Sequence, residues 1–344
     1  MRCCTECFCD IQIQAIITAE NRVGDCDYCG SKNVFTYSLD TPSDLSDLIS
    51  DVLNTYEDSD DGEKLFPTVI NHWGIFRKDI LSSYKLLSDF SSVIYGDDGE
   101  SHNRKVKIPR PYEEQFGIFS GHTWQEFARF IKEQNRFCNG FFKADQFASF
   151  LSYSIKRFPR GSEFYRARIC DNSHGYEKEQ MYSPPAGKRR AGRVNPEGIG
   201  VLYLTSDEET ALSEVRASAF DMITVGKFKS LREIRVVDLS SLDSISPAVF
   251  SGGLESLAAN SKIFSDIARD VAKPLRRNDS PLEYLPTQFI TEFIKSKGYT
   301  GVAYQSAMGT GGSNIAVFDE KLFECVDVHS VEIKKIKYSF EEAD

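Results

Sequence analysis

Long apolar segments are absent from the chain. Of its 344 residues, 41% are hydrophobic, but no eighteen apolar residues follow one another without interruption. A membrane-spanning helix needs about twenty. The first residues are rich in cysteine and lack the basic segment followed by an apolar one that marks a secretory signal peptide. The sequence therefore predicts a cytoplasmic protein with no membrane partner.

Acidic residues outnumber basic ones in the chain. The chain has 41 lysine and arginine residues against 51 aspartate and glutamate residues, which gives a net charge of −10. Proteins that coat nucleic acid carry a strongly basic surface. The charge balance disfavours that class, and we expect no nucleic-acid partner. The length is sufficient for two or three domains with a sizeable core.

Several common catalytic signatures are missing. RNases of the HEPN helical class use an arginine followed about four to six residues later by a histidine, and His72, His102 and His122 have no such arginine. The stretch GVAYQSAMGTGGSNIAVF at 301–318 lacks the helix and the Gly-Lys-Ser/Thr ending of a P-loop. Its Ser306 also lies outside a Gly-x-Ser-x-Gly elbow, and on its own is a plain strand-end serine.

Cysteine is abundant and unevenly placed, because six of the nine lie within the first 29 residues. An odd number without a secretion signal argues against a disulfide scaffold. Two Cys-x2-Cys pairs are present, Cys4 with Cys7 and Cys26 with Cys29. They predict a closed, structural Zn²⁺ site of four thiolates in a zinc ribbon. Cys3 and Cys9 leave the register of the first pair open, and free buried cysteines are the alternative.

Composition divides the chain into three predicted modules: a zinc ribbon at 1–40, a mostly helical region at 41–158 and an α+β region at 159–344. In the helical region, TPSD at 41–44 is typical of a helix start. The acidic run at 57–63 predicts a solvated loop.

The third module alternates short strands with helices. Segments rich in β-branched and aromatic residues predict strands at 163–169, 200–206, 223–228, 233–239, 301–306 and 314–318. Helical periodicity predicts helices at about 207–220, 254–270 and 286–297.

The first of these strands carries two arginines. Alternation places Phe164, Arg166 and Arg168 on one face. An arginine in mid-strand is unfavourable when it is buried without a partner. Two interpretations stay open: an edge strand with arginines in water, or an anion-binding site.

A basic loop precedes the second strand. Residues 186–199 hold four basic side chains, including Arg193, among glycine and proline. This composition is typical of a flexible loop that binds a phosphate group, or of a solvated charge run. Tyr203, in the strand that follows, is on its own a core tyrosine.

The next helix contains an unexpected carboxylate. Ser206 is predicted to cap this helix, with Glu209 completing a capping box. Small and apolar side chains form a stripe along the helix, and Glu214 lies at its flank, where it would be partly buried. The alternative is an exposed glutamate paired with Arg216 or a lysine.

The order of these features resembles the RES domain, a family named for its Arg, Glu and Ser residues. Three stretches carry the resemblance: FYRARI at 164–169, GRVNPEGIGVLYLTSDEETALSEVR at 192–216 and GVAYQSAMGTGGSNIAVF at 301–318. The preceding region, with CTECF at 4–8 and CDYCG at 26–30, is similar to the HEPN/RES N-terminal domain found fused to RES modules.

The resemblance implies a fold like that of ADP-ribosyltransferases and NAD⁺ as the substrate, with no catalytic metal. Most members of the family are toxins held in check by an antitoxin. The resemblance assigns a role to each residue that matches the motif. Glu214 stabilises the positive charge that develops on the ribose, and Arg166 and Arg193 bind the pyrophosphate, with Arg168 as a second basic contact. Tyr203 packs on a ring of the substrate, and Ser306 forms a hydrogen bond with the amide or the ribose.

The sequence therefore predicts an NAD⁺-degrading toxin or antiphage defence effector that cleaves the nicotinamide–ribose bond as a glycohydrolase or phosphorylase. One alternative is an ADP-ribosyltransferase that modifies a specific protein. A second is a non-enzymatic zinc-ribbon protein that binds nucleotide or nucleic acid. The acceptor, the trigger, the antitoxin or regulatory partner and the oligomeric state are left open.

Overall fold

The computed structural model describes residues 1–40, 44–77, 80–96, 104–137, 140–170, 174–274, 280–308 and 311–336. The helix start predicted at 41–44 therefore lies, except for Asp44, outside the described residues. The chain forms two compact units. Unit 1 comprises Met1–Trp124, Gly140–Tyr153 and Ser241–Ser265, and unit 2 comprises Gln125–Asn139, Ser154–Ser240 and Asp266–Asp344. Unit 1 includes Ser241–Ser265 of the predicted α+β region, and unit 2 includes Gln125–Asn139 of the predicted helical region. The predicted module boundaries stay predictions.

A small antiparallel sheet begins unit 1. Its strands are β1 (Arg2–Cys4), β2 (Val23–Gly24) and β3 (Val34–Ser38), in the order β1-β3-β2. Helix α1 (Ile11–Ala19) begins after Asp10, whose carboxylate accepts hydrogen bonds from two N–H groups of the first turn. Such a cap satisfies donors that have no partner within the helix. One cysteine-bearing turn follows β1, and the other lies between β2 and β3.

Hydrogen bonds join these first forty residues to the rest of unit 1. The backbone N–H of Cys9 donates to the carbonyl of Ile75 at 2.8 Å. The hydroxyl of Tyr28, in the second cysteine turn, donates to the carboxylate of Asp89 at 2.8 Å. Burial, followed by this carboxylate, raises the pKa of Tyr28 well above its ordinary value.

The helices that follow in unit 1 are α2 (Asp44–Leu53), α3 (Leu65–Trp73), α4 (Ile80–Tyr95), α5 (Arg110–Phe116) and α7 (Ala144–Leu151). Between α5 and α7 the chain forms α6 (Trp124–Glu133), which belongs to unit 2 except for Trp124. Aromatic side chains dominate the core of unit 1. The ring of Phe150 stacks on Phe250 with centroids 4.9 Å apart, and it meets Phe264 edge-on at 4.8 Å. Such pairs add to the stabilisation that burial alone provides.

The prediction of a solvated loop at 57–63 was wrong. The run lies in strand β4 (Glu57–Lys64), which pairs antiparallel with β5 (Lys105–Lys107). Opposite charges face each other across this strand pair. Glu57, for example, lies opposite Lys107 and forms an ion pair with it. Favourable cross-strand charge pairing explains why a strongly acidic segment adopts an extended, paired conformation.

Unit 2 is built on an eight-stranded sheet. Its strands are β6 (Ile155–Phe158), β7 (Glu163–Ile169), β8 (Leu202–Thr205), β9 (Met222–Ser230), β10 (Ile234–Asp238), β11 (Gly301–Gln305), β12 (Ser313–Val317) and β13 (Phe323–Glu332). Their order is β13-β9-β7-β8-β12-β11-β10-β6. β10 and β11 are parallel, and the other described pairs are antiparallel. The six predicted strands, and with them the α+β class, are confirmed.

The arginine-bearing strand β7 lies inside the sheet, between β9 and β8. The edge-strand interpretation of its arginines is therefore excluded. Arg166 lies opposite Gly226 of β9. Phe164 belongs to the apolar cluster on one face of the sheet, and Ala167 belongs to a second cluster that includes Ala211.

The helices of unit 2 that pack on this sheet include α8 (Glu208–Glu214) and α10 (Leu285–Ser296), and α9 (Leu254–Ala272) extends from unit 1 into unit 2. The helices predicted at about 254–270 and 286–297 are thereby confirmed. The helix predicted at about 207–220 is present, but it ends at Glu214, so the prediction was wrong for its second half. None of the described helices is long and apolar enough to cross a membrane.

The predicted cap of α8 was wrong by one residue. Asp207 is the N-cap, and its carboxylate accepts from the N–H and the hydroxyl of Thr210, both at 2.8 Å. The Ser206 hydroxyl donates to this same carboxylate. Burial raises the pKa of Asp207, but these hydrogen bonds outweigh it and hold the pKa below its ordinary value.

Replacing Asp207 with alanine should lower the free energy of unfolding by about 1 kcal/mol or more, because the first turn of α8 loses its cap. Glu209→Ala, which removes the carboxylate of the predicted capping box, should stay within about 0.5 kcal/mol of the wild type. Urea denaturation measures both. An equal loss in the two variants would contradict the assignment of Asp207 as the cap.

Candidate functional site

A cavity of about 470 Å³ opens in unit 2. Volumes of this order are typical of small-molecule sites. Its walls come from β7, β8, α8, the end of α9, the strand pair β11–β12, and the loop at 190–195. Five basic side chains and a single carboxylate line it within the described residues: Arg166, Arg190, Arg193, Arg216, Lys273 and Glu214. A cationic cavity in a chain of net charge −10 favours an anionic ligand.

Glu214 is the last residue of α8 and is half-buried at the cavity. Its Oε1 accepts hydrogen bonds from the Ser306 hydroxyl and from the Asn314 side-chain amide, each at 2.7 Å. Within the described residues no hydrogen bond reaches Oε2. The glutamate is therefore held by one oxygen, and its other oxygen is available to a ligand.

Ser306 follows β11, and its side chain is fully engaged as a donor. Its hydroxyl donates to Glu214, and its oxygen accepts from the N–H of Met308 at 3.2 Å. A serine hydroxyl has one proton to donate. The structure thus brings Ser306 and Glu214 together, as the motif order predicts, with the serine orienting the carboxylate.

Arg166 is a buried cation beside the cavity. Its Nη1 donates to the Tyr203 carbonyl at 3.2 Å, while its Nε is buried without a hydrogen bond. Among the described residues no carboxylate forms an ion pair with it. Burial, followed by the charge of Arg168, lowers its pKa to about 10. An unpaired buried guanidinium is unfavourable, so an anion in the cavity would stabilise it.

Tyr203 lines the cavity, and its hydroxyl donates to Asn195 Oδ1 at 2.6 Å. Asn195 is buried, and its amide nitrogen in turn donates to three carbonyls of the basic loop, at Arg190, Pro196 and Ile199. The phenol is therefore tied to the loop rather than packed in an apolar core. Burial raises the pKa of Tyr203 well above its ordinary value, so the phenol stays protonated.

The basic loop is held in place by α10. Thr287, Gln288 and Thr291 are buried, and their side chains donate to the carbonyls of residues 192–195 at 2.7 to 3.1 Å. The sequence indicates a flexible loop, whereas these bonds fix its conformation at the cavity wall. We refer to the three α10 side chains as the loop clamp.

Arg193 is positioned by this clamped segment. Its Nε donates to the carbonyl of Lys273 at 2.7 Å, and its guanidinium lies 5.2 Å from the ring centre of Tyr284. Both contacts set the direction of the side chain at the cavity wall. Arg168 differs, because it is absent from the described lining: its guanidinium stacks 4.1 Å from the ring centre of Tyr176 and donates to the carbonyl of Gln180.

The glycine-rich connection at 307–312 is a packing turn in its described part. A Cβ atom at Gly312 would overlap the side chain of Thr210 in α8. Ser313 N–H donates to the Ser206 hydroxyl, and Ser206 N–H donates to the Ser313 carbonyl, each at 3.0 Å. The turn thereby fixes the β11–β12 pair against the start of the helix that carries Glu214.

Sequence reasoning missed three polar residues of the site: Asn195, Asn314 and Tyr304. Asn314 begins an otherwise apolar predicted strand, and Asn195 lies in the basic loop, so residue type was the available signal; the structure shows that both are buried. Tyr304 lines the cavity, and burial raises its pKa well above the ordinary value. Nothing in a single sequence indicates which distant group each would meet.

The cysteine cluster belongs to unit 1, and none of its four residues is part of the described cavity lining. The Sγ atoms of Cys4, Cys7, Cys26 and Cys29 lie within 4.8 Å of one another. Neighbouring Sγ atoms are 3.4 to 3.9 Å apart, and a tetrahedral ion with bonds of about 2.3 Å requires about 3.8 Å. The four residues can therefore hold a metal ion. Cys9 instead bonds the carbonyl of Phe76.

The turn around the second pair fits the same role. The N–H of Tyr28 donates to Cys26 Sγ at 3.4 Å, and Gly30 adopts a positive φ of 73°. Hydrogen bonds from Cys4 and Cys7 lower the pKa of Cys26, and the same bonds raise the pKa of Cys4 and Cys7. Among the described cysteines none forms a disulfide.

Comparison with known proteins identifies the domain around the cavity. A family model described as the RES domain matches residues 163–340, which is just over half of the chain. The chain therefore belongs to the RES family. The likeness of the N-terminal region to a HEPN/RES domain stays a prediction.

One similar solved structure is the crystal structure of the M. tuberculosis MbcT-MbcA toxin-antitoxin complex. The identity is 13%, the match covers 54% of this chain and 91% of that chain, and the TM-score is 0.34. No curated protein matches the sequence.

Proposed function

We propose that the RES domain binds NAD⁺ in the cavity and cleaves the bond between nicotinamide and ribose. The observation that carries the proposal is the pairing of two unsatisfied groups in one cavity. Among the described residues, Arg166 is a buried cation that forms no ion pair and whose Nε has no hydrogen-bond partner, and Glu214 presents one carboxylate oxygen that accepts no hydrogen bond. A ligand with an anionic pyrophosphate and a ribose that develops positive charge satisfies both.

The chemistry needs few groups. The ribose C1–nitrogen bond breaks, and its electron pair leaves with nicotinamide, which departs neutral. The ribose becomes oxocarbenium-like, and the free oxygen of Glu214 stabilises that charge. An oxygen of the acceptor then bonds to C1 and releases a proton. Water, phosphate and a protein side chain are all competent acceptors.

We assign binding and orientation of the substrate to the basic residues that line the cavity, which we call the cationic wall: Arg166, Arg190, Arg193, Arg216 and Lys273. Arg166 and Arg193 offer planar guanidinium groups that suit phosphate oxygens. Tyr203 offers its ring to the cavity while Asn195 holds its hydroxyl. We assign Ser306 to orienting Glu214, and we assign no substrate contact to Arg168.

For the cysteine cluster we propose a structural Zn²⁺ ion. Four thiolates close the coordination shell, so the ion stabilises the fold and takes no part in the reaction. We further propose that the protein acts as a toxin or defence effector that depletes cellular NAD⁺. An unrestrained NAD⁺ consumer would harm its own cell, which supports a restraining antitoxin or regulatory partner.

Incubation of the full-length protein with NAD⁺ tests the proposal, and nicotinamide release is the expected result. ADP-ribose as the second product identifies water as the acceptor, its phosphate ester identifies phosphate, and labelled protein in a lysate identifies a transferase. Absence of both nicotinamide release and NAD⁺ binding would overturn the proposal. Salt-sensitive nucleic-acid binding without turnover would favour a non-enzymatic binding protein.

The loop clamp provides a test of binding in particular. Gln288→Met removes the hydrogen bonds to the carbonyls of Gly192 and Asn195. Because these buried carbonyls lose about 1–3 kcal/mol of interaction, the loop should loosen and KM for NAD⁺ should rise about tenfold. We expect kcat to stay within about threefold.

Steady-state kinetics check this split between KM and kcat. Lys297→Met, at the exposed end of the same helix, is the matched control and should behave like the wild type. A fall in kcat with KM unchanged would show that the loop clamp does not serve binding.

A further inference from the structure

Asn314 lies in the interior of the sheet, in a strand whose other side chains are mostly apolar. β12 runs between β8 and β11, and Asn314 lies opposite Thr205 on one side and Tyr304 on the other. The residue is 8% exposed. A buried amide is unfavourable unless it is hydrogen-bonded, so its single described side-chain partner is informative.

That partner is the carboxylate of Glu214. The Asn314 amide nitrogen and the Ser306 hydroxyl donate to the same oxygen, Oε1, at 2.7 Å each. A carboxylate oxygen offers about two lone-pair sites, and these two donors occupy both on Oε1. A ligand can therefore engage Glu214 only through Oε2.

A side-chain amide is well suited to hold a carboxylate because it does not ionise near neutral pH. It therefore donates its hydrogen bond at every pH at which the site works. Its nitrogen, rather than its oxygen, must face Glu214, since an ionised carboxylate accepts hydrogen bonds and does not donate them. The donor is also fixed by the sheet, because Asn314 belongs to a strand paired on both sides.

We propose that Asn314 is a positioning residue, which locks the Glu214 carboxylate through Oε1 so that Oε2 faces the reacting ribose. This inference rests on the proposed cleavage of NAD⁺. It assigns the orientation of Glu214 to two donors, one on either side of the glycine-rich turn. Loss of either donor lets the carboxylate rotate away from the direction that the transition state requires.

Asn314→Ala should lower kcat for NAD⁺ cleavage about 10- to 100-fold, in line with the loss of one hydrogen bond to a charged group. KM should change less than about threefold, since the cationic wall stays intact. Ser313→Ala, one position earlier in β12, is the matched control and should retain the wild-type kcat. Thermal unfolding of each variant reports whether the fold is kept.

Asn314→Asp keeps the shape of the side chain and removes the fixed donor. Two carboxylates then share the site, and repulsion raises the pKa of the pair. When the pair takes up a proton, the new acid can donate to Glu214 as the amide did. We therefore expect low activity at pH 8 and partial recovery toward pH 5, relative to the wild type at each pH.

The other ionisable groups of the described lining do not confuse this pH response. They are Arg166, Arg190, Arg193, Arg216, Lys273, Tyr165, Tyr203 and Tyr304, and the lining contains no histidine. Asn314 is 8% exposed, and a buried charge also destabilises the fold until it is protonated. Thermal unfolding of Asn314→Asp at each pH therefore separates the two roles: the inference expects kcat to recover on acidification even between pH values at which the folded fraction of the variant is the same.

The outcomes separate the two proposals. If the wild-type protein neither binds nor cleaves NAD⁺, the proposed function fails. If the wild type is active, Glu214→Gln is inactive and Asn314→Ala and Asn314→Asp both keep the wild-type kcat, the role of Asn314 is refuted while the function stands. Should Asn314→Ala unfold, the isosteric variant decides: lower activity with acid recovery supports the inference, and a flat pH response overturns it.

Discussion

Glu214→Gln should lower the rate of NAD⁺ cleavage by about 100- to 1000-fold and leave the fold intact. The substitution keeps the size of the side chain and removes the negative charge that faces the developing oxocarbenium. Removal of one group that stabilises transition-state charge in a preorganised site has effects of this size. Initial rates of nicotinamide release measure the loss.

The chain offers a matched control on the same helix. Glu209→Gln removes one charge from an exposed position of α8 and should keep wild-type activity. Binding of NAD⁺ to Glu214→Gln, measured by calorimetry, should persist, because the cationic wall is unchanged. Equal rates for Glu214→Gln and the wild type would remove Glu214 from the chemistry.

The second large effect concerns the cysteine cluster. Cys26→Ser should release the metal ion and unfold the N-terminal part of unit 1, because structural zinc contributes on the order of 10 kcal/mol to the folding of small zinc domains. Metal content by mass spectrometry and thermal unfolding report the two consequences. Removal of the ion from the wild type with a chelator should have the same result.

Cys9→Ser is the control for this prediction and also tests one of the two alternative registers of the first pair; Cys3, the other alternative, likewise lies outside the group of four. Cys9 is exposed and lies outside the cluster of four sulfur atoms. Its replacement should leave the metal content unchanged and alter stability little. Loss of the ion in Cys9→Ser, with retention in Cys26→Ser, would refute the assignment of the four ligands.

Sequence patterns predicted the strands of unit 2 well because each is a short apolar segment bounded by turn residues. The two outer strands of the sheet, β6 and β13, were missed. β6 is only four residues long and contains two basic residues. In β13, apolar side chains are interspersed with polar and charged ones, as suits an outer strand. The cap of α8 was misplaced because Ser206 and Asp207 are adjacent, and both side chains are good caps. Only the three-dimensional position of Ser313 shows which task each performs.

The candidate site was harder to predict than the fold. Motif order indicated Glu214 and Ser306, but the donor from Asn314 lies 100 residues from its acceptor. No local periodicity encodes such a contact. The loop clamp was hidden for a similar reason, since Thr287, Gln288 and Thr291 are interleaved with the apolar positions of α10 that pack on the core. Its task is visible only once the loop lies against it.

The hydrogen bonds that tie the first forty residues to the rest of unit 1 bear on how this module can be exchanged. A four-cysteine module of about forty residues resembles a unit that could be exchanged between proteins. Here Tyr28, in the second cysteine turn, donates a hydrogen bond to Asp89 of α4, and the N–H of Cys9 donates to the carbonyl of Ile75. A module taken from another protein would have to supply both hydrogen bonds. The metal module and the helical region should therefore have diverged together, as a matched pair.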